Sequence, residues 1–198
     1  MDQLWDRRRF LERVALLAGG AAGGVLLSAG FEGNTMAQDK PVTHNAEEQL
    51  KNLKLELPTI PKSTGSLIVP CVRAGELLFV SGHTPVGADG KSVVGKLGKD
   101  MDVKQGQEAA RLVALRVLSV VRNELGSLDR VVRLVKVLGM VNCTPEFTQS
   151  PAVVNGFSEV LVQVFGDAAG KGARSAVGMV SLPGGVPVEV EAIFQVKV

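Results

Sequence analysis

The chain has no tyrosine, one tryptophan and only 4% aromatic residues in all. A surface that binds single-stranded nucleic acid by base stacking needs exposed aromatics, so this composition argues against one. Cysteine and histidine are scarce too, with two of each in 198 residues. Cys71 and Cys143 are far apart, and neither has a close Cys or His neighbour. That is not a metal-site spacing. We read them as two structural thiols, with a disulfide as the alternative that an oxidising compartment allows. Charge of one sign is missing as well: 22 basic and 20 acidic residues give a net charge of +2. No basic run occurs beyond the first fifteen residues, so a polyanionic partner is not indicated. The most apolar stretch, residues 14–29, is sixteen residues with four glycines. A membrane-spanning helix needs about twenty.

The beginning of the chain is a different material from the rest. "DRRRFLERVALLAGGAAGGVLLSAG" has a basic start and a weakly apolar Gly/Ala stretch. Arg7, Arg8, Phe10 and Leu11 fit R-R-x-F-L, the pattern of a twin-arginine export signal. Small residues at Thr35 and Ala37 place cleavage after Ala37; a retained anchor is the competing reading. Residues 1–37 carry four basic and four acidic side chains, so their removal leaves the net charge unchanged. The expected organisation is a signal peptide over 1–37, a polar segment with a short helix over 38–65, and one domain over 66–198. The expected location is periplasmic or secreted, without stable membrane insertion once the signal is removed.

"NAEEQLKNLKLELP" predicts a short helix capped by Asn45 and Glu48 and stopped by Pro58. "SLIVPCVRAGELLFVSG" predicts a hairpin turning at Ala74-Gly75. Residues 86–99 have no period and read as a loop. The strongest helix follows, with Asp102 as N-cap, Gln105 closing a capping box and Gly126 as the stop. "RVVRLVKVLGMVN" alternates as a strand. "SPAVVNGFSEVLVQVFG" is a second helix with Pro151 near its start and Gly166 at its end. Two strands around a turn close the chain. The order β-β-α-β-α-β-β predicts an α+β fold, two helices on one face of a mixed sheet. Val188, Val190 and Phe194 alternate with Glu189, Glu191 and Ile193. Both sheet faces therefore carry apolar residues, and self-association is the expected cover for the second.

"FVSGHTP" at residues 79–85, "ARSAV" at 173–177 and "LPGGVPVEVEAI" at 182–193 together resemble the signature of the RidA (YjgF-like) family of reactive-intermediate deaminases. The resemblance runs from about residue 50 to the end. It implies a chorismate-mutase-like fold and a homotrimer with a cleft between each pair of subunits. It also implies a small carboxylic or imino acid as ligand, and no metal or organic cofactor. "VGKLG" at 94–98 and the long helix place the chain in a divergent branch.

Arg174 matches the family's carboxylate-binding arginine. The physical reason is independent: a guanidinium offers two parallel donors that fit a carboxylate. The alternative is an ion pair with Glu189 or Glu191. Glu189 matches the family's water-handling glutamate, and imine hydrolysis needs a group that takes a proton and returns it. Glu191 is its alternative, or a structural partner. Ser81 and Gly82 match cleft-lining positions, and Asn155 a helix position near the cleft, with a plain helix-surface role as the alternative. His83 reads as a hydrogen-bonded loop residue rather than an acid-base group. Two departures stand out. The deaminase branch has a Tyr where Ile68 falls, and a Cys where Ala176 stands. The expected function is hydrolysis of small 2-imino acids to 2-keto acids and ammonia. The alternative is a carboxylate-binding module of the same fold without turnover. A ribonuclease reading is weaker, because the cleft offers one Arg and carboxylates that repel phosphate.

Overall fold

The computed structural model describes residues 45–60 and 67–198. The export signal expected over residues 1–37 lies outside the described residues, as do residues 38–44 and 61–65 of the polar segment after it. Among the described residues no helix is long and apolar enough to cross a membrane.

Helix α1 (Ala46–Asn52) opens the described chain. Asn45 caps it, accepting from Glu48 N at 3.3 Å. The helix ends well before Pro58, because Lys54 turns left-handed at φ 52°. Leu50 is buried, while Leu53 at the end of the helix is exposed. Strands β1 (Cys71–Ala74) and β2 (Leu77–His83) form the expected hairpin. Ala74 pairs with Leu77, so the turn is Gly75-Glu76, one residue later than the sequence predicts. Gly75 at φ +61° supplies the left-handed first position that such a turn requires.

Helix α2 (Val103–Leu125) has the predicted capping box. Asp102 Oδ1 accepts from Gln105 N at 2.8 Å, and Gln105 Oε1 accepts from Asp102 N at 2.9 Å. Gly126 ends it at φ 80°. Strand β3 (Val131–Asn142) leads to helix α3 (Ser150–Gly170), then β4 (Ala173–Met179) and β5 (Val188–Val196). Gly166 does not end α3. It breaks the helix at φ 75°, ψ 169°, and one further turn runs to Gly170.

The sheet order is β1-β2-β5-β3-β4, with only β3 and β4 parallel. This is the expected mixed sheet, with α2 and α3 packed on one face. Val188, Val190, Ala192, Phe194 and Val196 point to the helices and are buried. Glu189, Glu191, Ile193 and Gln195 point to the other face. That face also carries Val72 and Phe79, 54% and 42% exposed. Helices α2 and α3 touch backbone to backbone. A Cβ on Gly156 would stand 2.0 Å from Gln107 O. Gln107 Nε2 donates to Ala152 O at 3.0 Å across the same crossing.

Candidate functional site

Arg174 is the second residue of the edge strand β4 and is exposed. It pairs with Val137, which pairs with Ala192. Both partners are buried under the helices, so Arg174 rises on the helix face. Its guanidinium lies along α3. Nη1 donates to Asn155 Oδ1 at 2.9 Å and to Ser158 Oγ at 3.0 Å. Nη2 donates to Pro151 O at 3.4 Å. Among the described residues, no carboxylate stands within ion-pair distance of Arg174, and its Nε makes no hydrogen bond. The helix holds the end of the fork. The side-on edge, Nε–H with the second Nη2–H, is not used in these bonds and matches the two oxygens of a carboxylate.

Asn155 and Ser158 are one helical turn apart and so share a face of α3. Asn155 meets Arg174 directly, and its oxygen is occupied in doing so. Ser158 was not singled out by the sequence. Its signal was only the i, i+3 spacing from Asn155 on the helix that precedes the "ARS" strand.

The second group sits elsewhere. The β2–β5 register slips between Val80 and His83, and Ser81 and Gly82 occupy that irregularity. Ser81 Oγ donates to Val69 O at 2.7 Å, and its N–H donates to Pro70 O at 3.0 Å. It ties down the segment that leads into β1. The Glu189 side chain lies across Gly82: a Cβ there would be 2.1 Å from Glu189 Oε1. Gly82 is therefore what makes room for the carboxylate. Burial, and then the neighbouring charge of Glu191, raise the Glu189 pKa above its ordinary value. His83 is pushed the other way, chiefly by burial and then by the Arg116 charge, with a backbone bond to Pro70 opposing. Its Nε2 is buried without a partner among the described residues.

The structure thus divides the predicted residues into two groups. Arg174 and Asn155 lie on the helix face of the edge strand β4. Glu189 pairs with Met140 on the opposite face, two strand spacings across from Arg174 and three residues further along β3 than its partner Val137, about 14 Å by strand geometry. Within one chain the two groups do not share a space. Arg174 is not the ion-pair partner of Glu189 or Glu191. Cys71 and Cys143 are both free thiols. Cys71 Sγ lies 3.8 Å from Glu124 Oε2. Burial, with that charge and bond added, pushes its pKa up to about 11.

Known proteins share this architecture. Protein TCP17 of Trypanosoma cruzi is 41% identical over 148 residues, 75% of this chain and 92% of that protein. Protein Atu1372 of Agrobacterium tumefaciens, whose crystal structure was described without a known function, is 39% identical. Its fold superposes with a TM-score of 0.69 over 77% of this chain and 92% of its own. A Shewanella oneidensis protein is 27% identical with a TM-score of 0.71, over 76% of this chain and 99% of its own. The family profile described as "YjgF/chorismate mutase-like, putative endoribonuclease" matches residues 47–184, and the Shewanella protein carries the same endoribonuclease description. The strand order, the "ARSAV" and "VEVEAI" strands and this match together place the chain in the YjgF (RidA-like) family.

Proposed function

We propose that the two groups form one site between subunits of a trimer, and that the site hydrolyses small 2-imino acids. Arg174 of one subunit holds the substrate carboxylate on its free Nε–Nη2 edge, and Glu189 of the next subunit handles water. The observation that carries this reading is an arginine fixed by three hydrogen bonds to α3 with no carboxylate of its own. Such a group is prepared for an acid that the chain does not supply.

The chemistry balances without a cofactor. Water adds to C2 of the imine and gives a proton to Glu189. Glu189 returns that proton to nitrogen. Glu189 then takes the proton of the new C2 hydroxyl and passes it to the amine, so the C–N bond breaks as the carbonyl forms, and ammonia leaves a 2-keto acid behind. A raised Glu189 pKa brings it closer to the working pH, which suits a group that must take and release the same proton. The carboxylates on the Glu189 side would repel a phosphate backbone, which argues against an endoribonuclease activity. We further propose that the chain is exported by its R-R-x-F-L segment and acts in the periplasm or outside the cell.

The test is release of ammonia and pyruvate from freshly generated 2-iminopropanoate. The parent accelerates it and Glu189→Gln does not. Arg174→Ala should lose about 10- to 100-fold in keto-acid affinity, the equivalent of a charge-assisted hydrogen bond. A parent that binds pyruvate through Arg174 but releases no ammonia would reduce the protein to a carboxylate binder. An Arg174→Ala variant that binds as tightly as the parent would end the reading.

A further inference from the structure

Helix α2 carries three arginines, and two of them have a carboxylate. Arg122 Nη2 lies 2.8 Å from Glu47 Oε2, and Arg111 Nε lies 4.0 Å from Glu108 Oε1. Arg116 is half-buried and has no carboxylate within ion-pair distance among the described residues. Glu124, about two turns further along the helix, lies against Cys71 instead. The neighbour of Arg116 across the sheet is His83. It pairs with Val190, which is buried under the helices, so its ring rises toward α2. Burial lowers the pKa of both groups, and the Arg116 charge lowers that of His83 further. The two side chains therefore stand close together.

His83 Nε2 and Arg116 Nε are both buried without a hydrogen-bond partner, and the described residues hold only one other such side-chain atom, Asn142 Oδ1. Two of three orphaned atoms on adjoining side chains point to one shared partner. A buried polar nitrogen left unpaired is costly, and a desolvated charge without a counter-charge is more so. The guanidinium repels a metal ion. A water or a neutral carbonyl accepts hydrogen bonds but leaves the charge uncompensated. An oxyanion accepts the bonds and cancels the charge. We propose that Arg116 and His83 form a binding site for a small oxyanion, a phosphate or a carboxylate, on the helix face of the sheet. This site is independent of the reading of Arg174. Glu189 lies on the opposite face, and Arg174 is on β4, three strand spacings from β2, about 14 Å.

Nuclear magnetic resonance titration of the full chain tests it. The chain has two histidines, so a His44→Gln background leaves the ring signals of His83 alone. Inorganic phosphate or acetate, added against chloride at constant ionic strength, should move those signals to a saturable end point. Tighter binding of phosphate marks the site as one for tetrahedral oxyanions, and tighter binding of acetate as one for carboxylates. Arg116→Lys keeps the charge and loses the Nε–H, and should weaken binding about tenfold or more, the range of a charge-assisted hydrogen bond. Arg116→Met removes both and should abolish the saturable shift. In buffer without either anion it should melt no lower than the parent, because the charge it removes had no partner. Arg111→Met, on the same helix, should bind as the parent does. Ring signals that stay in place with both anions overturn the site, the two nitrogens then being satisfied by water or by a neighbouring subunit. An equal shift in Arg116→Met overturns it too. So does an Arg116→Met variant that melts far below the parent, since the fold itself would then be holding the guanidinium.

Discussion

At the scale of single residues, the site depends on what is missing as much as on what is present. Gly82 carries no side chain, and Glu189 occupies that space. Gly82→Ala would place Cβ 2.1 Å from Oε1. The obstacle is the far end of a flexible side chain, so the fold should survive and the carboxylate should move. A displacement of about 1 Å costs on the order of 10²-fold in rate, so turnover should collapse with little change in melting temperature. Glu189 itself has a testable sign. Its folded pKa is raised, so the native state holds the proton more readily than the unfolded chain does. The charged form therefore costs stability, beginning as pH rises past the ordinary carboxylate value of about 4.3. Glu189→Gln should raise the melting temperature at pH 7, and the gain should vanish as pH falls below about 4. A gain that persists at acid pH would show that charge is not its cause. Arg174 and Glu189 stand out in the sequence as candidates by motif and chemistry. Their placement on opposite faces does not: it depends on which strand neighbours which, and no local pattern encodes that.

At the scale of elements, the position of α3 decides whether Arg174 is held. Gly156 lies between Asn155 and Ser158 and touches the α2 backbone at Gln107. Gly156→Ala drives a Cβ to 2.0 Å from a carbonyl oxygen, and backbone cannot step aside as a side chain can. The helices must separate, which moves both holders of Arg174. Thermal unfolding should show a loss of about 2 kcal/mol or more, and keto-acid affinity should drop with it; a variant with parental affinity would mean that α3 does not set the arginine. Asp102→Ala removes one half of the α2 capping box and should cost about 1 kcal/mol, without affecting the ligand. That cap and the Gly126 stop were readable in advance, because capping is decided by neighbours within four residues. The end of α3 was misread for the opposite reason. A glycine at a helix end and a glycine at a break look alike in sequence, and only the packing of Gly170 against Leu161 tells them apart. The hairpin turn moved by one residue because the β2–β5 pairing, not the turn alone, fixes the register.

At the scale of the whole molecule, the proposed site draws on two chains. The uncovered sheet face carries Val72, Phe79 and Ile193 around Lys136, Ser175 and Glu191, over a concavity of about 460 Å³. Burial of such a face between copies is the expected use of it, and light scattering should report three chain masses at micromolar concentration. Export is tested separately: replacing Arg7 and Arg8 with Lys should leave the precursor in the cytoplasm, and unchanged localisation would remove the twin-arginine reading. The division of the site makes a stronger demand. If each cleft takes Arg174 from one subunit and Glu189 from the next, Arg174→Ala and Glu189→Gln homotrimers should each be inactive. Unfolding an equal mixture and refolding it together should restore activity. Every cleft in a ring needs an intact arginine on one side and an intact glutamate on the other. Random assembly of equal numbers satisfies both at about one cleft in four, by the symmetry of a cyclic trimer. Recovery of roughly a quarter of the parental rate is the expected result. A site contained within one chain would recover nothing from the same mixture, because every chain in it lacks one of the two groups.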